Sequence, residues 1–255
     1  MSDKNFDTLS QKFTRNIYGT VKGQIRIAIL MRDLEKHCAL TQRKLRILDA
    51  GGGFGYLSQR LAAMGHEVVL CDISEQLLNK ARDDIQRSSK KLSIQLIQCA
   101  IQDLPDELGQ FDLVLCHAVL EWLENGHATL NQLRQFIRPG GYFSLMFYNI
   151  EAQRFHALVC GNFSYIKNGL KAKKTVRLTP QHAYTLSTIK HWIINQWQFN
   201  LLHTSGVRVI HDYLKAGAKE QFSDSELIEM ELQYSTHSTY IELGRYIHII
   251  AKNSK

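Results

Sequence analysis

The residues best suited to chemistry lie in a glycine-rich stretch that follows an apolar run. Residues 47–50 are apolar except for Asp49, and glycines then occupy positions 51, 52, 53 and 55. Leu57 and Leu61 follow at helical spacing, so we predict a strand, a tight turn and the start of a helix. Glycines in such a turn allow positive φ and close approach of a ligand to the backbone. We expect the ligand to rest against backbone N–H groups at the positive end of the helix.

The spacing of the glycines narrows the class of ligand that the loop could bind. A dinucleotide fingerprint has the form Gly-x-Gly-x-x-Gly, whereas this loop has Gly51-x-Gly53-x-Gly55 and lacks the Lys-Ser/Thr of a P-loop. With Asp49 ahead of it, the loop resembles that of the Rossmann-like methyltransferases that bind S-adenosylmethionine. An acid suits a cofactor that carries an ammonium and a sulfonium but no phosphate.

Polar residues after the next three apolar runs are further candidates. Asp72 lies 21 residues beyond the first loop glycine and could accept hydrogen bonds from both ribose hydroxyls, or it could cap the helix that begins near Ser74. In these methyltransferases the loop at 101–103 brackets the adenine, although Asp103 could be only a turn residue. His117 could be a general base or a cofactor contact, and we favour the contact.

Several classes of protein are excluded. Methyltransferases that act on base amino groups have Asn/Asp-Pro-Pro-Tyr after the fourth strand, which is absent, and neither Cys99 nor Cys116 follows the proline that a C5-pyrimidine methyltransferase requires. The five scattered cysteines predict free, mostly buried thiols rather than a disulfide framework or a metal site. No apolar run approaches the ~20 residues of a membrane span, and residues 1–7 do not resemble a secretory signal, so we expect a cytoplasmic protein.

Strand and helix patterns alternate from residue 45, which predicts a parallel sheet. Strands are expected at about 45–50, 67–72, 93–99, 111–116 and 142–148, and helices at about 55–64, 74–88, 128–137 and 151–160. A helix at 180–196 and strands at 199–210 and 240–251, joined by a helix at 223–234, would form an antiparallel edge. Two helices are expected before residue 44, the second over about 21–38.

Positive charge is concentrated in one segment. Residues 152–211 contain eight Lys and Arg residues and no acid, while the net charge of the whole chain is +7, so the remainder carries −1. The segment could be a surface for a polyanion or only a solvated face without acids.

Short motifs along nearly the whole chain carry a more specific resemblance. They are Asn5-Phe-Asp, Lys12-Phe-Thr-Arg-Asn-Ile-Tyr-Gly-Thr20, Lys22-Gly-Gln, Leu48-Asp-Ala-Gly-Gly-Gly, His117-Ala-Val-Leu-Glu-Trp, Leu145-Met-Phe-Tyr-Asn149, Gly161-Asn-Phe, Gly206-Val-Arg, His211-Asp-Tyr-Leu and Leu243-Gly-Arg-Tyr-Ile-His248. Together they resemble the bacterial tRNA 5-carboxymethoxyuridine methyltransferases. This family methylates the carboxylate of that wobble nucleoside with S-adenosylmethionine as the donor.

The resemblance implies a fold and a cofactor site. The fold is an α/β Rossmann-like class I methyltransferase with a mostly parallel seven-stranded sheet, helices on both faces and an antiparallel edge. A helical cap at 1–43 would precede the methyltransferase domain at 44–255, with a basic insertion at about 151–182. The implied cofactor residues are Arg26, Gly51, Gly52, Asp72, Ile101, Gln102 and His117, to which we add Gly53 of the same glycine loop. From its residue type alone, Arg26 could equally be a solvated helix residue.

The acceptor chemistry predicts further site residues. An ionised carboxylate needs no general base, so we expect no catalytic base and no metal. Candidate partners for the substrate carboxylate are Arg15, Arg208 and Arg245, with Tyr18 and Tyr148 as hydroxyl donors, although each could serve only packing or a surface.

The basic insertion is the candidate for contact with RNA. Lys171, Lys173 and Lys174 would contact phosphates of the tRNA anticodon arm, together with Lys167 and Arg177, while Phe163 or Tyr165 could stack on a base. No protein partner is evident. The competing interpretations are a small-molecule carboxyl or hydroxyl O-methyltransferase and a non-catalytic RNA-binding protein.

Overall fold

The computed structural model describes residues 19–171 and 180–255. Its centre is a seven-stranded sheet with the order β3-β2-β1-β4-β5-β7-β6. The strands are β1 (Arg46–Ala50), β2 (Glu67–Asp72), β3 (Ile94–Gln98), β4 (Phe111–His117), β5 (Ile137–Tyr148), β6 (Asn200–Val207) and β7 (Tyr246–Lys252). The first five strands are parallel, and β7 is antiparallel to both β5 and β6. The predicted mixed sheet with an antiparallel edge is confirmed.

Helices flank the sheet. They are α1 (Val21–His37), α2 (Tyr56–Ala63), α3 (Glu75–Arg87), α4 (Gly126–Arg134), α5 (Ile150–Val159), α6 (Phe163–Lys167), α7 (Leu186–Lys190) and α8 (Asp224–Tyr234). The predicted first helix, before residue 19, lies outside the described residues. Among those described, no helix combines the length and apolar character that crossing a membrane requires.

A separate apolar core covers each face of the sheet. On one face, α4 and α7 pack with Phe143 and the buried Trp197. On the other, α1 and α2 pack against the sheet, and Ile25 and Leu34 of α1 are 0% exposed. Because α1 belongs to this second core, its packing places Arg26, on a neighbouring face of the helix, over the ring of Tyr246 in β7. The boundary between a cap and a catalytic domain at residue 43 stays a prediction.

Side-chain caps explain where two helices begin. The Ser74 hydroxyl accepts a hydrogen bond from the Leu77 N–H at 3.2 Å, as expected for the start of α3. Ser223 and Glu226 form a reciprocal capping box at α8. By contrast, the helix predicted from residue 180 begins only at Leu186, where Thr185 is the cap, and it continues as a π-helical turn, His191–Gln196.

The predicted end of the helix at about 128–137 and the predicted start of the next strand at about 142 are wrong. The helix α4 already ends at Arg134, and β5 begins at Ile137, so Pro139 and the two glycines after it lie inside a strand. The pairing of β5 with β4 shifts register between Phe111 and Leu113. Such a bulge accommodates a residue that cannot donate to the ladder, which explains how proline is tolerated there.

The last two strands are shorter than predicted. Strand β6 ends at Val207, because Arg208 adopts a positive φ of 62°. Strand β7 begins only at Tyr246, after a helical turn at Ile241–Leu243. The five cysteines are free as expected, but Cys160 is exposed.

Candidate active site

The carboxyl ends of β1, β2 and β4 border a cleft that encloses about 1040 Å³ of non-protein space, part of it open to solvent. Parallel α/β sheets generally bind ligands at this edge. The cleft brings together every residue predicted to bind the cofactor: Arg26, Gly51, Gly52, Gly53, Asp72, Ile101, Gln102 and His117.

The glycine loop crosses the cleft under tight steric limits. A Cβ atom at Gly51 would lie 2.6 Å from Val119 Cγ2, and this glycine has a φ of +73°. At Gly52 a Cβ atom would lie 2.4 Å from Leu70 Cδ1 and 2.5 Å from the Asp49 carboxylate. The glycines are therefore required by the packing of the chain itself, and their lack of side chains leaves the space of the cleft open.

The N–H groups of the loop already have acceptors within the protein. Gly51 and Gly52 donate to the Cys71 carbonyl at 2.9 and 3.3 Å, and Gly53 donates to Asp72 Oδ2 at 2.9 Å. Gly51, Gly52 and Gly53 therefore use their N–H groups within the protein, and the predicted contact of the ligand with the helix start stays a prediction. Hydrogen bonding to the end of β2 closes the turn and uses the donors that a phosphate-binding loop would present to its ligand.

Asp49 gives the cleft a buried acid. It is 3% exposed, and its Oδ2 atom accepts a hydrogen bond from the Ser58 hydroxyl at 2.6 Å. Burial raises the pKa of Asp49 to about 6, although the Ser58 hydrogen bond acts in the opposite direction. A cation in the cleft would stabilise the ionised form of this acid. The residue therefore suits a ligand with an ammonium or sulfonium group.

Asp72 has a structural role as well as a place in the cleft. Its Oδ2 atom accepts from Gly53, and its Oδ1 atom accepts from the Ser74 N–H at 2.8 Å. It thus fixes the glycine loop and the start of α3 together. Each carboxylate oxygen can accept more than one hydrogen bond, so the geometry is compatible with ribose hydroxyls as additional donors.

The wall beyond β3 is formed by Ile101 and Gln102. Ile101 is 6% exposed, and Gln102 Nε2 donates to Thr129 Oγ1 at 3.0 Å. Asp103, the alternative polar candidate, is exposed and does not line the cleft. An apolar surface beside an anchored amide fits a flat heterocycle.

The opposite end of the cleft combines a cation with a neutral imidazole. The Arg26 guanidinium lies 4.8 Å from the centroid of the Tyr246 ring. Burial, with the positive charge of Arg26 as a further cause, holds the pKa of His117 well below its usual range. Its Nδ1 atom is buried and has no hydrogen-bond partner among the described residues.

Beyond Arg26, a cationic and aromatic cluster adjoins the cleft. We call Tyr148, Arg208, Asp212, Arg245 and Tyr246 the arginine cluster. Arg208 Nη2 and Arg245 Nε each donate to Asp212 Oδ2 at 3.0 Å. The two tyrosine rings meet edge to face at 5.5 Å, and Arg245 lies 5.6 Å from the centroid of the Tyr148 ring. Three predicted substrate residues are thus brought together, although they do not line the cleft itself.

Electrostatics keep this cluster charged. Burial alone would raise the pKa of Asp212, but the His211 hydrogen bond and the two arginines hold it well below its usual range. Two guanidinium groups therefore share one carboxylate, which leaves a net positive charge. Arg208 Nε is buried and has no acceptor within the part of the chain that the structure describes.

The remaining predicted residues lie elsewhere. Lys171 is exposed at the end of the first described range, whereas Arg15, Tyr18, Lys173 and Lys174 lie outside the described residues. Sequence reasoning missed Asp212 and Tyr246 as site residues. Both occur within motifs that resemble the family, so their position there was the available signal.

Comparisons with known proteins agree with this geometry. A methyltransferase-domain family model matches residues 48–145. The tRNA 5-carboxymethoxyuridine methyltransferase of Escherichia coli K12 is 42% identical over 255 residues, which cover 99% of this chain and 97% of that protein. An Azoarcus ubiquinone biosynthesis O-methyltransferase is 35% identical over 48% of this chain and 52% of its own.

A solved structure shows the same fold. The magnesium protoporphyrin IX methyltransferase of Synechocystis PCC 6803, with bound SAH, matches with a TM-score of 0.64 and 15% identity. The match covers 98% of this chain and 96% of the other.

The fold, the cleft and the matches define an S-adenosylmethionine-dependent methyltransferase of class I. The glycine loop, the buried Asp49 and the unpartnered His117 nitrogen fit this cofactor. Within the class, the chain belongs to the family of tRNA 5-carboxymethoxyuridine methyltransferases, because its identity to a curated member extends over nearly the full length of both proteins.

Proposed function

We propose that this enzyme methylates the carboxylate of 5-carboxymethoxyuridine at the wobble position of tRNA and so forms the methyl ester, in the cytoplasm. The observation that carries the proposal is the 42% identity to the Escherichia coli enzyme along the whole chain. The arginine cluster beside the cleft supports an anionic acceptor.

The chemistry requires little beyond positioning. An aliphatic carboxyl has a pKa of ~4 and is already an anionic nucleophile at neutral pH. Bound S-adenosylmethionine would supply the methyl group from its sulfonium, and the sulfur would be the leaving group, as a neutral thioether. Alignment of reacting groups can supply up to roughly 7–11 kcal/mol. The chain must therefore hold and orient the acceptor, and we assign no general base.

The arginine cluster is the proposed holder of the acceptor carboxylate. Arg208 and Arg245 can each present remaining N–H groups, since only one nitrogen of each is bonded to Asp212. The Tyr148 hydroxyl would be a further donor. An arginine fork fixes one side of a carboxylate and leaves a lone pair of the other oxygen for methyl transfer.

Contacts to the anticodon arm are proposed for the basic segment. Lys167 and Lys171 are exposed, and Phe163 is 57% exposed beside them. Tyr165 is half-buried and its hydroxyl accepts from Gln153, so Phe163 is the better candidate for stacking on a base. Arg154 is paired with Glu151 and contributes less to the positive surface than its residue type suggests.

Methyl transfer to tRNA tests the proposal. Labelled S-adenosylmethionine is incubated with tRNA from a strain that lacks this protein, and the nucleosides are analysed by mass spectrometry. We expect 5-carboxymethoxyuridine to be converted to its methyl ester. Mild alkali should then release the label as methanol, because an ester is hydrolysed under conditions that spare base and ribose methyl groups.

Two outcomes would refute the proposal. Label that resists alkali would place the methyl group elsewhere on the RNA. Methylation of free carboxylic acids without methylation of tRNA would favour a small-molecule O-methyltransferase.

A further inference from the structure

A buried chain of hydrogen-bonding side chains leads from α1 through β7 and β5 to the cleft. His248 Nδ1 lies 2.8 Å from Asp33 Oδ2, and His248 Nε2 lies 2.7 Å from Ser144 Oγ. Ser144 Oγ in turn lies 2.8 Å from His117 Nε2. Asp33 is 1% exposed, and Ser144 and His248 are 0% exposed. The chain ends in the cleft at His117 Nδ1, which has no hydrogen-bond partner in residues 19–171 and 180–255.

The proton positions along this chain follow from its far end. Arg32 donates to Asp33 Oδ1 from Nε at 2.9 Å and from Nη2 at 2.6 Å, so an ionised Asp33 already has a cationic partner. We assign a single proton to His248: the carboxylate accepts its Nδ1–H, and its Nε2 atom is then an acceptor. Ser144 must donate its only proton to that atom. The Ser144 oxygen can then accept only from the Nε2–H of His117.

We infer that Asp33, His248 and Ser144 are positioning residues that hold His117 in the Nε2–H tautomer, so that its Nδ1 lone pair accepts a hydrogen bond from the α-ammonium of the cofactor. Arg26 lines the same end of the cleft and supplies a cation for the carboxylate of that amino-acid group. His117 Nδ1 and Arg26 thus match the ammonium and the carboxylate at the amino-acid end of the cofactor. Had His248 carried a second proton, the chain would run in reverse and Nδ1 would be a donor.

The inference is independent of the methyl acceptor and can be tested by binding alone. Two ligands are compared by calorimetry: S-adenosylhomocysteine and its analogue in which hydrogen replaces the α-amino group. The ratio of their dissociation constants measures what the amino group contributes. In Ser144→Ala the tautomer is no longer selected, so we expect this ratio to fall about tenfold, the scale of one hydrogen bond to a charged group. Ser144→Thr, which keeps the hydroxyl, should restore the ratio.

Ser205→Ala is the matched control. Ser205 is also a buried serine of the sheet; its hydroxyl lies 2.7 Å from His203 Nε2 and accepts from Arg32 Nη2 at 2.9 Å, so it contacts neighbours of Asp33 but neither His248 nor His117 through its side chain. Its loss leaves the Arg32–Asp33 and Asp33–His248 hydrogen bonds in place. Its ratio should equal that of the wild type. Asp33→Asn provides a second variant at the origin of the chain, and it should lower the ratio as Ser144→Ala does.

A purely structural role makes a different prediction. Ser144→Ala would then weaken both ligands by the same factor and leave the ratio unchanged, which would overturn the inference. Nitrogen-15 NMR of the His117 ring provides an independent test, because it shows which ring nitrogen carries the proton. The wild type should show the proton of His117 on Nε2, and a proton on Nδ1 would equally contradict the proposal.

Discussion

At the scale of single residues, the site depends on acids and arginines whose environments differ. Asp72 is held by two backbone N–H groups, whereas Asp49 is buried and has a raised pKa. Two arginines of the arginine cluster share Asp212. The residue types suggested ligand contacts, but only their surroundings distinguish their roles. Asp72 holds the loop, Asp49 suits a cationic ligand group, and the arginine cluster supplies positive charge.

Asp72→Ala should weaken cofactor binding. Loss of a charged acceptor costs ~1.5–3 kcal/mol, which corresponds to about 10- to 100-fold in the dissociation constant. Because Asp72 also accepts from Gly53 and Ser74, a modest fall in melting temperature should accompany the change. Calorimetry with S-adenosylmethionine measures the effect. Asp103→Ala is the control, since this exposed acid lies outside the cleft; unaltered affinity in Asp72→Ala would contradict the assignment.

Glu121 predicts a pH dependence of stability. It is 0% exposed, and burial raises its pKa from 4.5 to about 7, although backbone hydrogen bonds from Glu121 itself and from Tyr148 act in the opposite direction. Because the folded state binds this proton more tightly than the unfolded state, stability is lost as the pH rises from about 4.5 through 7. The loss amounts to about 3 kcal/mol.

Glu121→Gln removes the cost of ionisation. Measured by denaturant unfolding, its stability relative to the wild type should rise by up to about 3 kcal/mol between pH 5 and pH 8. Glu231→Gln is the control: this acid is equally buried, but it accepts from Val209, Ile210 and His211, so its replacement should destabilise at both pH values. A pH-independent effect of Glu121→Gln would show that ionisation is not the cause.

At the scale of elements, the turn between β1 and α2 fixes the site. Its N–H groups are bonded to the end of β2, and its glycines lie against β2 and the loop after β4. The hydrogen bonds of Gly51, Gly52 and Gly53 therefore join the loop to its neighbouring elements. Helix α1 completes the site from outside this unit, since its buried face orients Arg26 over Tyr246.

Gly52→Ala should disrupt this turn. The added Cβ atom would lie 2.4 Å from Leu70 and 2.5 Å from the Asp49 carboxylate, so backbone or core must move. Small-to-large changes of this kind cost ~1–3 kcal/mol, and we expect a clear loss of melting temperature together with loss of cofactor binding. Gly65→Ala is the control: it introduces backbone strain without crowding, because Gly65 has a positive φ of 98° but open space around it. Comparable cofactor affinity in both variants would contradict the role assigned to Gly52.

At the scale of the whole molecule, the cleft and the arginine cluster are built by different strands of the sheet. The parallel strands β1, β2 and β4 border the cleft, whereas the arginine cluster lies around the ends of β5, β6 and β7. The acid-free segment begins after β5 and reaches into the arginine cluster. The antiparallel edge thus places a positive surface beside a generic methyl-donor site.

Simultaneous neutralisation of Lys171, Lys173 and Lys174 should weaken tRNA binding. If each contacts one phosphate, the slope of log K against log salt should decrease by about 2–3. Filter binding at several salt concentrations measures the slope. A matched variant removes three charges at Arg87, Lys90 and Lys91, beside the β3 edge of the sheet, and should leave the slope unchanged. Equal slopes for both variants and the wild type would place the RNA elsewhere.

The sequence by itself determined the alternation of strands and helices, the glycine loop and the family. These depend on local signals, namely periodicity, turn residues and short motifs, which can be recognised without knowing which residues are in contact in the fold. The starts of the helices near Ser74 and Ser223 were predictable as well, because a side-chain cap acts within one turn. The predicted end of α4 was wrong because Pro139 lies in β5, where a register shift in the pairing with β4 accommodates it. Strand pairing of this kind cannot be read from the local sequence.

Only the tertiary structure decided how distant residues combine. Asp33 and His248 are 215 positions apart, yet they are hydrogen bonded, and no local pattern indicates this. The structure likewise shows that the loop N–H groups are already satisfied and that Arg208 and Arg245 share one carboxylate. Burial, hydrogen-bond partners and the resulting protonation states arise from contacts between separate elements. Residue types limit which of these contacts are possible, and the fold determines which ones form.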